Sequence, residues 1–155
     1  MPPQIGEFKS LKKLNLQGSQ LISFPAQIGE FKNLTWLGLS DNQLSSLPAQ
    51  IGDLNSLTGL ELRKNQLSSL PEQIRELKNL MWLDLSNNKL TSLPVQIGEL
   101  KSLKWLDLKN NQLSNLPEQI SELKNLTKLN LSGNPILTSE QEKIRIWLPK
   151  CSVEF

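Results

Sequence analysis

The chain has 155 residues, 37% of them hydrophobic and 21% charged, and its 17 basic and 15 acidic residues leave a formal charge of +2. That balance supplies no global field to recruit nucleic acid, and the absence of histidine and tyrosine removes the commonest general base and metal ligand. No apolar run approaches the length of a membrane span, and the single cysteine, Cys151, excludes an intramolecular disulfide.

A 23-residue unit repeats along the chain, opened by Leu11, Leu34, Leu57, Leu80, Leu103 and Leu126. Each opening reads LxxLxLxxNxL, as in Leu34 to Leu44, and the remainder reads xxLPxxIxxLxx, as in Leu47, Pro48, Ile51 and Leu54. A fixed period in this range specifies a solenoid. One domain over residues 1–155 is expected: a partial unit at 1–10, five full units at 11–125, a last partial unit at 126–136 and a C-terminal cap at 137–155.

The first ten residues begin inside a unit, with Met1 at the Leu47 position and Ile5 at the Ile51 position, as if an upstream segment had been removed. Met1-Pro2-Pro3 has no signal-peptide character. Only Met1, Ile5 and Phe8 are available to cover the N-terminal end. The first strand, around Lys13 to Gln17, is then a free edge, with Lys9, Lys12 and Lys13 as charged protection against edge pairing.

In each full unit the LxL pair alternates at period two, which predicts a short strand with its leucines on one side. Stacked units make a parallel sheet on the concave face of a curved solenoid. Asn42, Asn65, Asn88, Asn111 and Asn134 follow the strands and are expected to turn inward and satisfy neighbouring backbone; Ser19 takes that place in the first unit. The Pro at 25, 48, 71, 94 and 117 suits the first turn of a short 3₁₀ or α segment, the opposite wall. Gly29, Gly52 and Gly98 follow the Ile of that turn, yet Arg75 and Ser121 stand at the same place, so no positive φ is required there. At the C-terminus, Ser139 to Glu142 forms a capping-box pattern before Ile144, Trp147 and Leu148 at helical spacing. Pro149 then ends the helix, and Cys151, Val153 and Phe155 alternate as a short final strand, with Cys151 a packed thiol.

Residues between the leucines face outward in three rows across the sheet. The first row holds Lys13, Trp36, Gly59, Trp82, Trp105 and Lys128. The second holds Asn15, Gly38, Glu61, Asp84, Asp107 and Asn130, and the third Gln17, Ser40, Arg63, Ser86, Lys109 and Ser132. Three of the four tryptophans thus sit in one exposed row that the core does not require, and Trp is the residue most enriched at binding hot spots. Gly59 is expected to leave a notch of about 10 Å between Trp36 and Trp82, two strand spacings. Glu61, Asp84 and Asp107 run beside the indoles and suit basic or donor groups of a partner, with Arg63 and Lys109 one row further. An indole ladder that only shields the sheet is the alternative.

The convex wall carries Glu7, Glu30, Asp53, Glu76, Glu99 and Glu122 in one register, and Lys9, Lys32, Lys78, Lys101 and Lys124 two positions later with Asn55 as the exception, a pattern of a solvated surface. The N-x-S/T sequons at Asn33, Asn125 and Asn130 follow from the repeat itself. Catalysis finds little support. The paired acids would need one raised carboxyl, which a shallow sheet is not expected to supply. No phosphate-binding loop or Cys/His pair exists, a carboxylate-only calcium site would lack carbonyl-rich loops, and no cofactor is implied.

The pattern resembles the leucine-rich-repeat proteins of the 23-residue LPxxIGxLxxLxxLxLxxNxL type over about residues 1–136. The ending from Asn134 to Phe155, NPxLTSEQEKIRxWLPKCxVxF, is most similar to the leptospiral members. The resemblance implies an α/β leucine-rich-repeat solenoid in a bacterial interaction protein, secreted or at the cell surface, that binds other macromolecules through its concave sheet. Composition by itself leaves localisation open. The expected function is a non-catalytic recognition module for an unidentified protein or peptide, most simply as a monomer. The alternative is a self-assembling structural protein that pairs through its open N-terminal edge.

Overall fold

The computed structural model describes residues 10–155. Met1, Ile5, Phe8, Glu7 and Lys9, with the roles expected of them, lie outside the described residues. Among these residues seven short strands form one parallel sheet in chain order: β1 (Lys13–Asn15), β2 (Trp36–Gly38), β3 (Gly59–Glu61), β4 (Trp82–Asp84), β5 (Trp105–Asp107), β6 (Lys128–Asn130) and β7 (Ser152–Glu154). The register advances by one unit per strand, so Leu14, Leu37, Leu60, Leu83, Leu106, Leu129 and Val153 lie in one line across the sheet.

Among the described residues five 3₁₀ turns form the other wall: Ala26–Glu30, Ala49–Asp53, Glu72–Glu76, Val95–Glu99 and Glu118–Glu122. The prolines stand one place earlier than expected. Each precedes its turn in extended conformation, as at Pro71 (φ −68°, ψ 147°), and its carbonyl accepts the first turn bond, from Ile74 N at 3.0 Å. Proline fits because this position supplies only a carbonyl, so the missing N–H costs nothing. Between the walls the unit leucines and isoleucines from Phe24 to Leu148 form one continuous core, with most side chains inaccessible to solvent.

The inward asparagines behave as expected. Asn88 Nδ2 donates to the carbonyls of Leu62 (2.9 Å), Leu85 (3.0 Å) and Ser86 (3.3 Å), while its Oδ1 accepts Leu67 N (3.0 Å). Each amide therefore ties its own unit to the one before it, and among the described residues no buried side-chain polar atom lacks a partner. The residue just before each of these positions is left-handed: Gly18 (φ 67°), Asp41 (56°), Lys64 (53°), Asn87 (56°), Asn110 (54°) and Gly133 (76°). This turn lets the ladder continue beyond the strands, with Asp41 N on Arg63 O and Asn87 N on Lys109 O, both at 2.8 Å. Gly, Asn and Asp at five of the six places are the residues that tolerate this region best. Gly52 has another reason: an added Cβ would lie 2.5 Å from the Gln73 carbonyl oxygen of the next unit.

On the convex wall the two charged rows pair between units, Lys32 with Asp53 (3.7 Å), Lys78 with Glu99 (3.0 Å) and Lys101 with Glu122 (3.2 Å). Where Asn55 breaks the lysine row, Arg75 replaces the glycine of its register and holds Glu76 at 3.0 Å. At the C-terminus, α1 (Thr138–Trp147) starts two residues earlier than the capping box implied. Leu137 is its N-cap, no side chain caps it, and Ser139 lies within the first turn. The Leu137 carbonyl already accepts Glu140 N (2.9 Å) and Gln141 N (3.0 Å), which places the helix start ahead of the serine. Ile144 and Leu148 are buried in the core, Trp147, Cys151, Val153 and Phe155 pack on it, and Arg145 covers the Phe155 ring at 4.9 Å.

Candidate functional site

Because the strands pair in step, the three outward rows are physical rows. Trp36, Gly59, Trp82 and Trp105 are consecutive partners, as are Gly38, Glu61, Asp84 and Asp107. The notch expected at Gly59 is filled. The six-membered ring of Trp36 lies over Gly59 and occupies the space that a Cβ would need there. Absence of a side chain invited the neighbouring indole to lie down on the strand, and Gly59 is buried beneath it. Above Gly38 the side chains of Asn15 and Glu61 close in, 3.0 and 3.5 Å from where a Cβ would stand.

Gly59, the glycine beside Trp82, is already covered by Trp36, and Trp82 and Trp105 stack on each other, ring centroids 3.7 Å apart and 14° from parallel. Trp82 retains 38% of its surface exposed, whereas the sheet's leucines from Leu37 to Leu129 are wholly covered. The pair is neither core nor a free ladder: one partner shelters the other and leaves an open indole.

The acidic row has a local task that was not foreseen. Asp84 Oδ1 accepts the N–H (3.0 Å) and hydroxyl (2.7 Å) of Ser86, and Asp107 Oδ1 accepts Lys109 N (2.9 Å). These are Asx turns that close the strand, and an Asp inside LxL, two residues before Ser86 or Lys109, was their sequence signal. The expectation that a shallow sheet leaves its carboxyls unperturbed is corrected. Burial pushes the Glu61 carboxyl up, and the charge of Asp84 adds to it. Asp107 is also raised, chiefly by burial and against the bond from Lys109 N, with Asp84 adding to the rise.

Asp84, Asp107 and Trp105 line a depression of about 470 Å³ together with Arg63, Lys109 and the buried Ser86. Five of the expected site residues meet there. Trp82 flanks it through the stack, while Trp36, Gly59 and Glu61 lie toward β2 and β3. No helix among the described residues is long and apolar enough to cross a membrane.

A family model described as a leucine-rich repeat region matches residues 1–89, and further leucine-rich-repeat models match residues 78–136 and 125–149. Among solved structures, a leucine-rich-repeat protein of Leptospira interrogans is similar with a TM-score of 0.97 and 48% identity, over 100% of this chain and 40% of that one. The leucine-rich-repeat ectodomain of the plant membrane receptor kinase GASSHO1/SCHENGEN3 from Arabidopsis thaliana, in complex with CASPARIAN STRIP INTEGRITY FACTOR 2, gives a TM-score of 0.78 and 39% identity over 86% of this chain and 17% of that one. The plant peptide hormone receptor RGFR1, in complex with RGF2, gives a TM-score of 0.81 and 29% identity over 100% and 26%. The chain thus spans well under half the length of each of these proteins. No curated protein matches it.

Proposed function

The chain belongs to the leucine-rich-repeat family, and on that premise we propose that it is a non-catalytic recognition module whose concave face grips an extended protein or peptide segment. The observation that carries this is the Trp82–Trp105 stack, with Trp82 open to solvent on a face whose core needs no aromatic there. The two plant structures, each in complex with its named factor, support the class of partner. Self-assembly through the edge at β1 is the alternative; its cover residues Met1, Ile5 and Phe8 lie outside those described, so no observation favours it over recognition.

A random-peptide library selected on the immobilised protein tests the reading. Selected peptides should bind the Trp82→Ala variant at least about 30-fold more weakly, the roughly 2 kcal/mol of a hot-spot aromatic. Thermal stability should fall by less than the roughly 3–5 kcal/mol of a buried aromatic truncation. Peptides indifferent to Trp82→Ala, or a variant that melts like a core truncation, would remove the reading.

A further inference from the structure

Part of the charge on this protein is neutralised locally. Among the described residues seven ion pairs tie lysines or arginine to acids along the convex wall, the rim and the C-terminal helix and strand. None of them engages Glu61, Asp84, Asp107, Arg63 or Lys109. Five charged side chains therefore stand without an ion-pair partner on three adjacent strands, next to the stacked indoles.

The fold does not need the negative charge of the acidic row. Asn15 Oδ1 accepts Gln17 N at 3.0 Å and Asn130 Oδ1 accepts Ser132 N at 3.0 Å, at the same register as Asp84 and Asp107. A neutral amide thus closes the same turn on β1 and β6. Carboxylates stand in this row at Glu61, Asp84 and Asp107 and again at Glu154 on β7, and beside the Trp82–Trp105 stack burial disfavours the charge on Asp107. A charge that the turn does not use, and that its surroundings disfavour, is suited to a cation arriving from outside.

We propose that the depression beside Trp105 receives the side chain of an arginine on the bound segment, its guanidinium bonded to Asp84 and Asp107 and its plane or stem against the indole. This rests on the recognition reading above and assigns its central contact. Arginine fits better than lysine because its planar fork can bond two carboxylates and still lie on an aromatic surface, whereas an ammonium is a compact, strongly hydrated point charge. Arg63 and Lys109 also line the depression and would repel a run of basic residues. The segment therefore carries a single arginine here, followed or preceded by a neutral or acidic residue, and not a basic run.

The probe is N-acetyl-arginine amide, with N-acetyl-citrulline amide as its neutral isostere, titrated against the full chain by NMR. The indole N–H signals are assigned through Trp82→Phe and Trp105→Phe. The arginine probe should shift the Trp82 and Trp105 signals saturably, and the citrulline probe at least about tenfold more weakly, the loss of one charge-assisted contact. The Asp84→Asn/Asp107→Asn variant should keep its fold, as Asn15 and Asn130 show, and lose the arginine response. Equal responses to the two probes, a response centred on Trp147, no saturable shift, or a response that survives the double variant would each overturn the inference. Library-selected peptides separate this from the broader reading. If they lose binding on Trp82→Ala but not on Asp84→Asn/Asp107→Asn, recognition stands and the arginine contact falls.

Discussion

The asparagine ladder holds the units together, so truncating its centre should be among the most damaging single changes on the surface side of the core. Asn88→Ala removes three donated bonds, to Leu62, Leu85 and Ser86, and the bond accepted from Leu67 N. At about 1 kcal/mol net for each of the three shorter bonds, and more for backbone groups left buried and unsatisfied, the expected loss is roughly 3–5 kcal/mol. For a chain of this size that corresponds to a melting temperature lower by about 10 °C or more. Asn134→Ala is the internal control. Asn134 is only partly buried and donates to two carbonyls, Leu108 and Leu131, while accepting Leu113 N. Water can replace part of that set, so its truncation should cost about half as much. Urea unfolding followed by far-UV circular dichroism gives both values, and hydrogen exchange should show Leu67 N opening first in Asn88→Ala. A cost below about 1 kcal/mol for Asn88→Ala, or equal costs at the two sites, would refute the view that burial turns these bonds into the inter-unit ties.

Gly59→Ala should expel the Trp36 ring from its seat, with a destabilisation of about 1–3 kcal/mol and a change in tryptophan fluorescence; an unchanged emission spectrum would show that the ring does not lie there. The raised Glu61 and Asp107 carboxyls make the folded chain bind protons more tightly than the unfolded one, so their contribution to stability falls as pH rises through and just above the ordinary carboxylate range. Glu61→Gln combined with Asp107→Asn should remove that slope and gain on wild type toward neutral pH; parallel urea-midpoint curves against pH would contradict it. Deleting residues 138–155 should expose the last leucine layer, because a solenoid end is sealed only by its cap, and protection from hydrogen exchange should be lost first at Leu129 and Leu131. Unchanged protection there would make the C-terminal segment an appendage.

Nearly all of the architecture could be read from spacing. A period of 23 with LxL in every unit places equivalent leucines in register, and that alignment is what the sheet shows from Leu14 to Leu129. The inward Asn residues were legible for the same reason: only a buried amide suits a polar position between core leucines. The final strand at Ser152–Glu154 followed from plain alternation. The capping box at Ser139 was misleading, because a local motif competes with backbone bonds that begin two residues earlier, at the Leu137 carbonyl. The left-handed row before each asparagine carried a signal in its Gly, Asp and Asn residues, obscured by Lys64.

What periodicity determines is which residues share a face, since that depends only on backbone repeat and pleat. It does not determine how side chains on that face settle against neighbours one unit, or 23 residues, away. Trp36 and Trp82 occupy identical places in their units, yet one lies flat over Gly59 and the other stacks on Trp105. Likewise the acidic row could be placed from sequence, but its turn-closing bonds, its partial burial and its lack of ion pairs depend on rotamers chosen across adjacent strands. Covalent spacing set the rows of this protein, and packing between units decided which of their side chains remain open to a partner.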